Sequence, residues 1–590
     1  MSTLVLPPAQ LLDREQGRLL TDDAAAQARL VSALRDAAIA GKVDRSVTVL
    51  ETHISYVLLT GQFAYKIKKS VDLGFLDFRT LEARRFYCEE ELRLNRRLAP
   101  EIYLEVVAIT GSIDSPALGG EGTAIEYAVK MREFAQDALA SHALANDRLS
   151  ATHIDALAAQ VAAFHSASAR APPDGSFGDP DAILPCALQI FWKLRPLLDD
   201  PTDIRDLDTL FDWTCDQHAA VRAAMAERRA HGFVRECHGD LHLGNIALVD
   251  DRPVIFDCIE FNEAFRWIDV MSEVAFTVMD LRDRGRPELA QRFLNAYVEI
   301  TGDYAGLAVL RFYVVYRAMV RAMVARLRAM QVGTGDARNR LLADYHSYVE
   351  LAKSHIQPPR PAIVITHGLS GCGKTTLSQP LLEMIGAVRI RTDVERKRIH
   401  RLPPTGRGIA GIDAGLYAPE ATKRTYVRAL ALARTSAVAG YITIVDAAFL
   451  RRWQRQLFRE LAAELDVSYF IVSFAAKEST LRERIKRRLA DGNDTSDADL
   501  AVLEHQLRTQ ELLSADEYAE MVAYRRRAGT ISWTGWRIRA AQSLQPAMKN
   551  PVSRATRPAP ARATQSANEP GWNHAADARR VRRLRLSRRA

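Results

Sequence analysis

A chain of 590 residues is too long for a single hydrophobic core, and 48% hydrophobic with 26% charged residues excludes wholesale disorder. The formal charge of +8 is a poor guide to partners, because residues 525–590 hold 16 Lys/Arg against 2 Asp/Glu. Residues 1–524 therefore carry 64 basic and 70 acidic groups, and this mildly acidic body gives no reason to expect nucleic-acid binding there.

Six scattered cysteines without a CxxC pair argue against a disulfide framework or a Cys-based zinc site. No run of 18 apolar residues is present, and MSTLVLPPAQLLDREQ lacks the basic segment of a signal peptide. The expectation is a cytoplasmic protein without a membrane span.

In chain order, SVTVLETHISYVLLTGQFAYKIKK (46–69) alternates and is β-branched, predicting strands joined by a turn at Thr60-Gly61. LEARRFYCEEELRLNRRLA reads as a helix. EIYLEVVAIT and TAIEYAVKMREF read as strands around the Gly-rich turn SPALGGEGT. Helices then dominate until VRECHGDLHLGNIALVDDRPVIFDCIEF, which reads as loop, strand, turn, strand. A small β-rich lobe before a larger helical one is the bilobal plan of protein-kinase-like folds.

SHIQPPRPA breaks the pattern near residues 354–362, and residues 361–524 then alternate strand and helix, predicting a parallel α/β sheet. RRRAGTISWTGWRIRAA offers no clear final strand, and the last 50 residues, rich in Ala, Arg and Pro, read as disordered. The expected organisation is a kinase-like domain over 25–352, a linker over 353–362, a P-loop domain over 361–524 and a basic, largely disordered tail over 525–590. The fold class is multidomain, α+β followed by α/β.

HGDLHLGN places Asp240 and Asn245 at the Asp-x4-Asn spacing of a kinase catalytic loop, and Asp257 follows at the end of the apolar run PVIF. Asp240 is the candidate catalytic acid, with Asn245 and Asp257 as Mg²⁺ ligands. FAYK nominates Lys66 to grip nucleotide phosphates, although Lys68 and Lys69 are close alternatives. Its partner on the following helix is Glu91, or Glu90.

Downstream, GLSGCGKTT follows the strand AIVIT and opens a helix. Gly368, Gly371 and Gly373 would let backbone N–H groups converge on phosphate, with Lys374, Thr375 and Thr376 completing the nucleotide site. Thr375 and Asp446, which ends ITIVDA, are candidate Mg²⁺ ligands. Asp393 is the candidate catalytic acid of this half, with Arg396 beside it; the alternative is a helix N-cap ahead of VERKR. Arg482, Arg484, Arg487 and Arg488 could form a lid or an ordinary solvated helix face, and Tyr417, Arg424 and Arg451 are substrate-side candidates.

HGDLHLGN, VIFDCIEF, RWIDVMSEVAF and LAAQVAAFHSAS together resemble the aminoglycoside phosphotransferase/choline-kinase-like superfamily. The resemblance implies the roles above for Asp240, Asn245 and Asp257, and makes Asp269 a structural acid behind the loop. ETHISYV, with Thr52, His53 and Ser55, replaces a GxGxxG lid. Residues 361–520 resemble the gluconate-kinase/chloramphenicol-phosphotransferase-like branch of P-loop kinases. Over about 40–520 the chain is similar to a bacterial family of bifunctional aminoglycoside phosphotransferase-like/ATP-binding proteins.

The implied activity is phosphoryl transfer from ATP, or GTP, with Mg²⁺, to hydroxyl groups of small molecules. No acidic acceptor pocket suited to an antibiotic is identifiable in the sequence. A regulatory ATPase or a polynucleotide 5′-hydroxyl kinase are alternatives for the P-loop half. The seven arginines of 579–589 offer a nucleic-acid contact against the plainer reading of a solvated extension.

Overall fold

The computed structural model describes residues 22–40, 47–74, 76–403, 418–491, 498–523, 525–527 and 530–532. Helix α1 (Asp22–Ala40) precedes strands β1 (Thr48–Glu51), β2 (Ser55–Leu59) and β3 (Phe63–Lys68). Helix α2 (Leu81–Asn95) starts where the Thr80 side chain accepts from the Ala83 N–H. Strands β4 (Tyr103–Ser112), β5 (Ser115–Leu118) and β6 (Glu126–Arg132) complete an antiparallel six-stranded sheet of order β1-β2-β3-β6-β4-β5. SPAL, expected within a turn, is the short strand β5. Gly111, at φ +87° near the end of β4, lies so close to β5 that a Cβ there would sit 2.5 Å from the Ser115 carbonyl oxygen.

The helical lobe begins with α3 (Ala140–Ala145), α4 (Ala151–Ala167), α5 (Pro180–Leu194) and α6 (Pro201–Ala230). Strand β7 (Val234–Glu236) leads through the HGD loop into the hairpin β8 (Ile246–Val249) and β9 (Arg252–Ile255). Helix α7 (Glu263–Arg266) and strand β10 (Trp267–Asp269) follow, β10 pairing back on β7. Helices α8 (Val270–Asp283), α9 (Pro287–Thr301), α10 (Leu307–Gln331) and α11 (Asp336–Ile356) close the lobe. In α8 every residue from Val270 to Leu281 is buried, so its polar side chains must find partners inside the protein.

Past the prolines at 358, 359 and 361 the pattern becomes strand–helix alternation: β11 (Ala362–His367), α12 (Lys374–Ile385), β12 (Val388–Arg391), α13 (Thr392–Ile399), α14 (Pro419–Val438) and β13 (Thr443–Asp446). It continues through α15 (Arg452–Glu464), β14 (Ser468–Ser473), α16 (Glu478–Asp491), α17 (Leu500–Thr509), α18 (Ala515–Ala519) and β15 (Met521–Ala523). The five strands are parallel, in the order β12-β13-β11-β14-β15. The final strand that the sequence seemed to lack is β15, just ahead of the arginines, and a hairpin of β16 (Arg525–Arg527) and β17 (Thr530–Ser532) follows it. Residues 533–590, including the segment expected to be disordered, lie outside the described residues.

The two faces of β11 serve different cores. Ala362 and Val364 pack with Leu381 and Leu382 of α12. Ile363 and Ile365 join a core continuous with α9 and α10 of the helical lobe. Along the free edge of β12, side chains of the helical lobe replace a neighbouring strand. Gln291 Nε2 donates to the Ala387 carbonyl (2.7 Å), the Arg389 N–H donates to Asn295 Oδ1 (2.7 Å), and the Tyr304 hydroxyl donates to the Arg389 carbonyl (3.0 Å).

Candidate active sites

Strand alternation puts Lys66 and Lys68 on one face of β3, opposite α2. Lys66 Nζ lies 2.8 Å from Glu91 Oε1 and 2.6 Å from Asp257 Oδ1. Lys68 Nζ lies 2.7 Å from Glu91 Oε2 and also contacts Glu260. Burial opposes charge on Glu91, yet its two ammonium partners outweigh that and hold its carboxyl down to about 2. Burial likewise opposes the Lys66 charge, and Asp257 and Glu91 overcome it, so the ammonium stays protonated. Glu90 turns away to Arg93 (2.7 Å) and Arg266 (2.9 Å), and Lys69 pairs with Glu51 at 2.6 Å.

Asp240 and Asn245 meet directly: Asn245 Nδ2 donates to the Asp240 carboxylate and to its carbonyl, both at 3.0 Å. Burial disfavours the Asp240 carboxylate, but His242, 3.4 Å away, and Arg321 keep it well below the usual range. His238 ties this pair to the Lys66 cluster. Its Nδ1 accepts from the Asp240 N–H (3.2 Å), and its Nε2–H donates to the Phe256 carbonyl (2.8 Å), one residue before Asp257. Gly239 must be glycine, since at φ +91° a Cβ would lie 2.7 Å from the Phe265 carbonyl oxygen.

The loop rests on α8. Glu273 accepts from the backbone N–H groups of His238 (3.1 Å) and Gly239 (2.7 Å), Thr277 donates to the Leu241 carbonyl (2.9 Å), and Asp280 accepts from the Leu243 N–H (2.8 Å). Burial opposes the Glu273 charge, and His165 brings the carboxyl down to about 2. His165 contacts Glu273 at 3.0 Å and the Tyr297 hydroxyl at 2.8 Å. Asp269, expected behind the loop, instead caps α8 through the Met271 N–H (2.8 Å) and pairs with Arg228 (2.8 Å). The missed residues did leave a sequence signal: 273, 277 and 280 form an i, i+4, i+7 polar stripe in a largely apolar helix.

Within ETHISYV, Thr52 closes the β1–β2 turn without glycine: its Oγ1 accepts from the Ser55 N–H (2.9 Å) and donates to the Ser55 carbonyl (3.0 Å). His53 Nε2 accepts from Arg328 Nε at 3.3 Å, joining this loop to α10.

The second site surrounds a cavity of 1110 Å³ at the carboxyl ends of the parallel strands. Gly371, Gly373, Lys374, Thr375 and Thr376 line it, while Gly368, at φ +146°, packs behind them with no room for a Cβ against the Phe474 carbonyl oxygen. Lys374 Nζ donates to the Gly368 (2.9 Å) and Leu369 (3.0 Å) carbonyls. Thr375 Oγ1 donates to Asp446 Oδ2 at 2.7 Å. Arg389 supports the loop from β12 through the Thr375 carbonyl (3.1 Å), and Gln506 accepts from the Ser370 N–H (2.8 Å).

Asp393 also faces this cavity. It lies within α13, whose N-cap position is Arg391 without a side-chain cap, so the N-cap alternative is set aside. Arg396, Arg451, Arg484, Arg487 and Arg488 line the cavity as well. Arg482 turns to Glu478 (2.8 Å) and Glu504 (3.1 Å), Arg424 is exposed on α14, and Tyr417 lies outside the described residues.

Residues 82–313 match the phosphotransferase enzyme family, and residues 363–513 match an AAA domain. Over 457 residues the chain is 31% identical to the uncharacterized protein Rv2004c of Mycobacterium tuberculosis, covering 77% of this chain and 89% of that one. The uncharacterized protein Mb2027c of Mycobacterium bovis matches with the same identity and coverage. The chain belongs to this two-part phosphotransferase family. It is an ATP-dependent kinase or phosphotransferase, as the motifs led one to expect. Among solved structures it is similar to a choline/ethanolamine kinase family protein from Mesorhizobium loti, at 14% identity over 55% of this chain and 98% of that one, with a TM-score of 0.35. No described helix is long and apolar enough to cross a membrane.

Proposed function

We propose that the chain, read as a kinase-like domain over 25–352 joined to a P-loop domain over 361–524, carries two phosphoryl-transfer sites for small hydroxyl compounds. The convergence of Lys66, Glu91 and Asp257 beside the Asp240–Asn245 pair carries this reading for the amino-terminal site. Lys66, fixed by Glu91, grips nucleotide phosphates. Asp240, kept ionised, accepts a hydrogen bond from the acceptor hydroxyl and takes its proton as the phosphoryl group transfers. The donor set fits a hard divalent cation: the Asp257 carboxylate, and the Asn245 amide oxygen left over once its nitrogen has turned to Asp240. Mg²⁺ held there would offset phosphate charge.

In the carboxy-terminal site, the P-loop backbone and Lys374 hold the β- and γ-phosphates of ATP, and Thr375 with Asp446 would hold the Mg²⁺. Asp393, across the cavity, orients the second acceptor hydroxyl. The Arg389 contact to Thr375 favours a second reading of this half, a nucleotide-binding module that regulates the other site, because Arg389 is itself tied to α9. Phosphorylation of a metabolite pool by wild type, Asp240→Ala and Lys374→Ala tests the proposal. Each variant is expected to lose its own set of products, formed at about 1–100 s⁻¹ by the wild type. Products untouched by either change would refute two kinase sites. Nucleotide hydrolysis that no metabolite accelerates, unchanged in Asp393→Ala, would establish the regulatory reading.

A further inference from the structure

Lys66 and Lys68 meet the carboxylates of Glu91, Asp257 and Glu260 between β3, α2 and the loop after β9, and their surroundings differ. The Lys66 side chain is 11% exposed and reaches Asp257, itself 42% exposed, so this pair borders solvent. Lys68 is wholly buried, and its Nζ ends between the buried carboxylates of Glu91 and Glu260. It is pinned along its length. Gln27 of α1 donates to the Lys68 carbonyl (2.7 Å) and accepts from the Ser70 N–H (2.9 Å). The Lys68 ammonium also lies 5.2 Å from the centre of the buried Phe78 ring.

The loop from Asp257 to Glu260 has to be held from outside. Asp257 has a left-handed backbone at φ +65°, a conformation that a non-glycine residue keeps only where its neighbours enforce it. The Asp257 N–H donates to the Tyr103 hydroxyl (3.2 Å), and the Cys258 N–H donates to Asn95 Oδ1 of α2 (2.9 Å). At the far end of the loop the Glu260 carboxylate pairs with Lys68 of β3. Its carbonyl accepts from Arg266 (3.1 Å), which in turn pairs with Glu90 of α2 (2.9 Å).

For Lys66 to grip phosphate, its contact with Asp257 must open. The three carboxylates exceed the two ammonium groups by one charge, and Asp257 is the exposed one, placed to give up its lysine for a cation. Glu91 keeps its second oxygen on Lys68 throughout. We propose that Lys68 is a positioning residue of the amino-terminal site: bridged to Glu260, it holds Glu91 and the Asp257 loop in place while Lys66 releases Asp257 and takes up nucleotide phosphate. This rests on the kinase reading of that site. Lys68 itself touches neither nucleotide nor acceptor; it acts through Glu91 and Glu260.

Calorimetric binding of a non-hydrolysable ATP analogue with Mg²⁺ tests this in the full chain, on a Lys374→Ala background that removes the P-loop lysine. Lys66→Met first defines the part of the binding that belongs to the amino-terminal site. Lys68→Met is expected to weaken that part about 10- to 100-fold at a temperature well below unfolding, and Lys68→Arg to recover some of the loss. Glu260→Gln should weaken it to a similar degree. The double variant should bind no more weakly than either single one, as two members of one bridge do. Glu260→Gln also serves if Lys68→Met does not fold, because it removes a charge with little change of shape. Unchanged affinity in folded Lys68→Met and Glu260→Gln, with only the unfolding temperature lowered, would overturn the inference and leave the kinase reading intact. Losses that add up in the double variant would overturn it too. Binding from which Lys66→Met removes nothing would refute the kinase reading of this site, and the inference with it.

Discussion

Glu91 is fully buried and holds two lysines, so its ionisation is linked to folding. Its folded carboxyl titrates at about 2 against an ordinary 4.5. Its contribution is therefore complete above pH 4.5 and is lost as the pH falls toward 2. Glu91→Gln should flatten this acid limb in denaturant melts across pH. It should also cost about 3–5 kcal/mol near neutrality, because two buried ammonium groups lose their shared partner. Gly239→Ala should remove Asp240-dependent activity and cost about 1–3 kcal/mol, as its backbone is both left-handed and crowded. At this scale much was legible: Lys66, Asp240, Asn245 and Asp257 stand out because chemistry fixes their type and local spacing. Alternation along β3 could have set Lys69 aside, but nothing local separates Lys66 from Lys68, since both lie on the same face and both reach Glu91.

Among the elements, α8 is the seat of the HGD loop. Glu273→Ala should leave nucleotide affinity within a few-fold of wild type yet lower kcat about 100-fold, because a loop displaced by an ångström misplaces Asp240. Calorimetric binding of the ATP analogue beside steady-state rates checks the split. The role of this helix was hard to see in advance. Its polar stripe is visible in the sequence, but the backbone it serves lies more than 30 residues upstream, and only tertiary structure joins them. Strand β15 escaped notice for another reason: three residues, Met521–Ala523, cannot display a period. Asp393 shows the opposite failing, a residue with two sensible local roles that only the observed helix start could separate.

In the molecule as a whole, α9 stands between the two sites. Tyr297 reaches His165 and through it the Glu273 support of the HGD loop, while Asn295 bonds β12, whose Arg389 supports Thr375 of the P-loop. Asn295→Ala leaves the buried Arg389 N–H unpaired and should cost about 1–3 kcal/mol. Thermal unfolding should show the loss. The bilobal and parallel-sheet plans were legible from strand and helix periodicity. The shared core was not, because the apolar residues of β11 look alike whether they face their own domain or another.

The edge of β12 also bears on how such a chain could have been assembled. A free-standing P-loop sheet shields its border strand with turns, charges or a partner of its own. Here that border is covered by Gln291, Asn295 and Tyr304, all supplied by the preceding half. Residues 361–546 produced alone would present bare N–H and C=O groups beside the apolar Ile363 and Ile390, and should self-associate in size-exclusion chromatography. The two halves are thus bound by more than a shared reading frame: the border strand relies on its neighbour, so separating them should carry a solubility penalty.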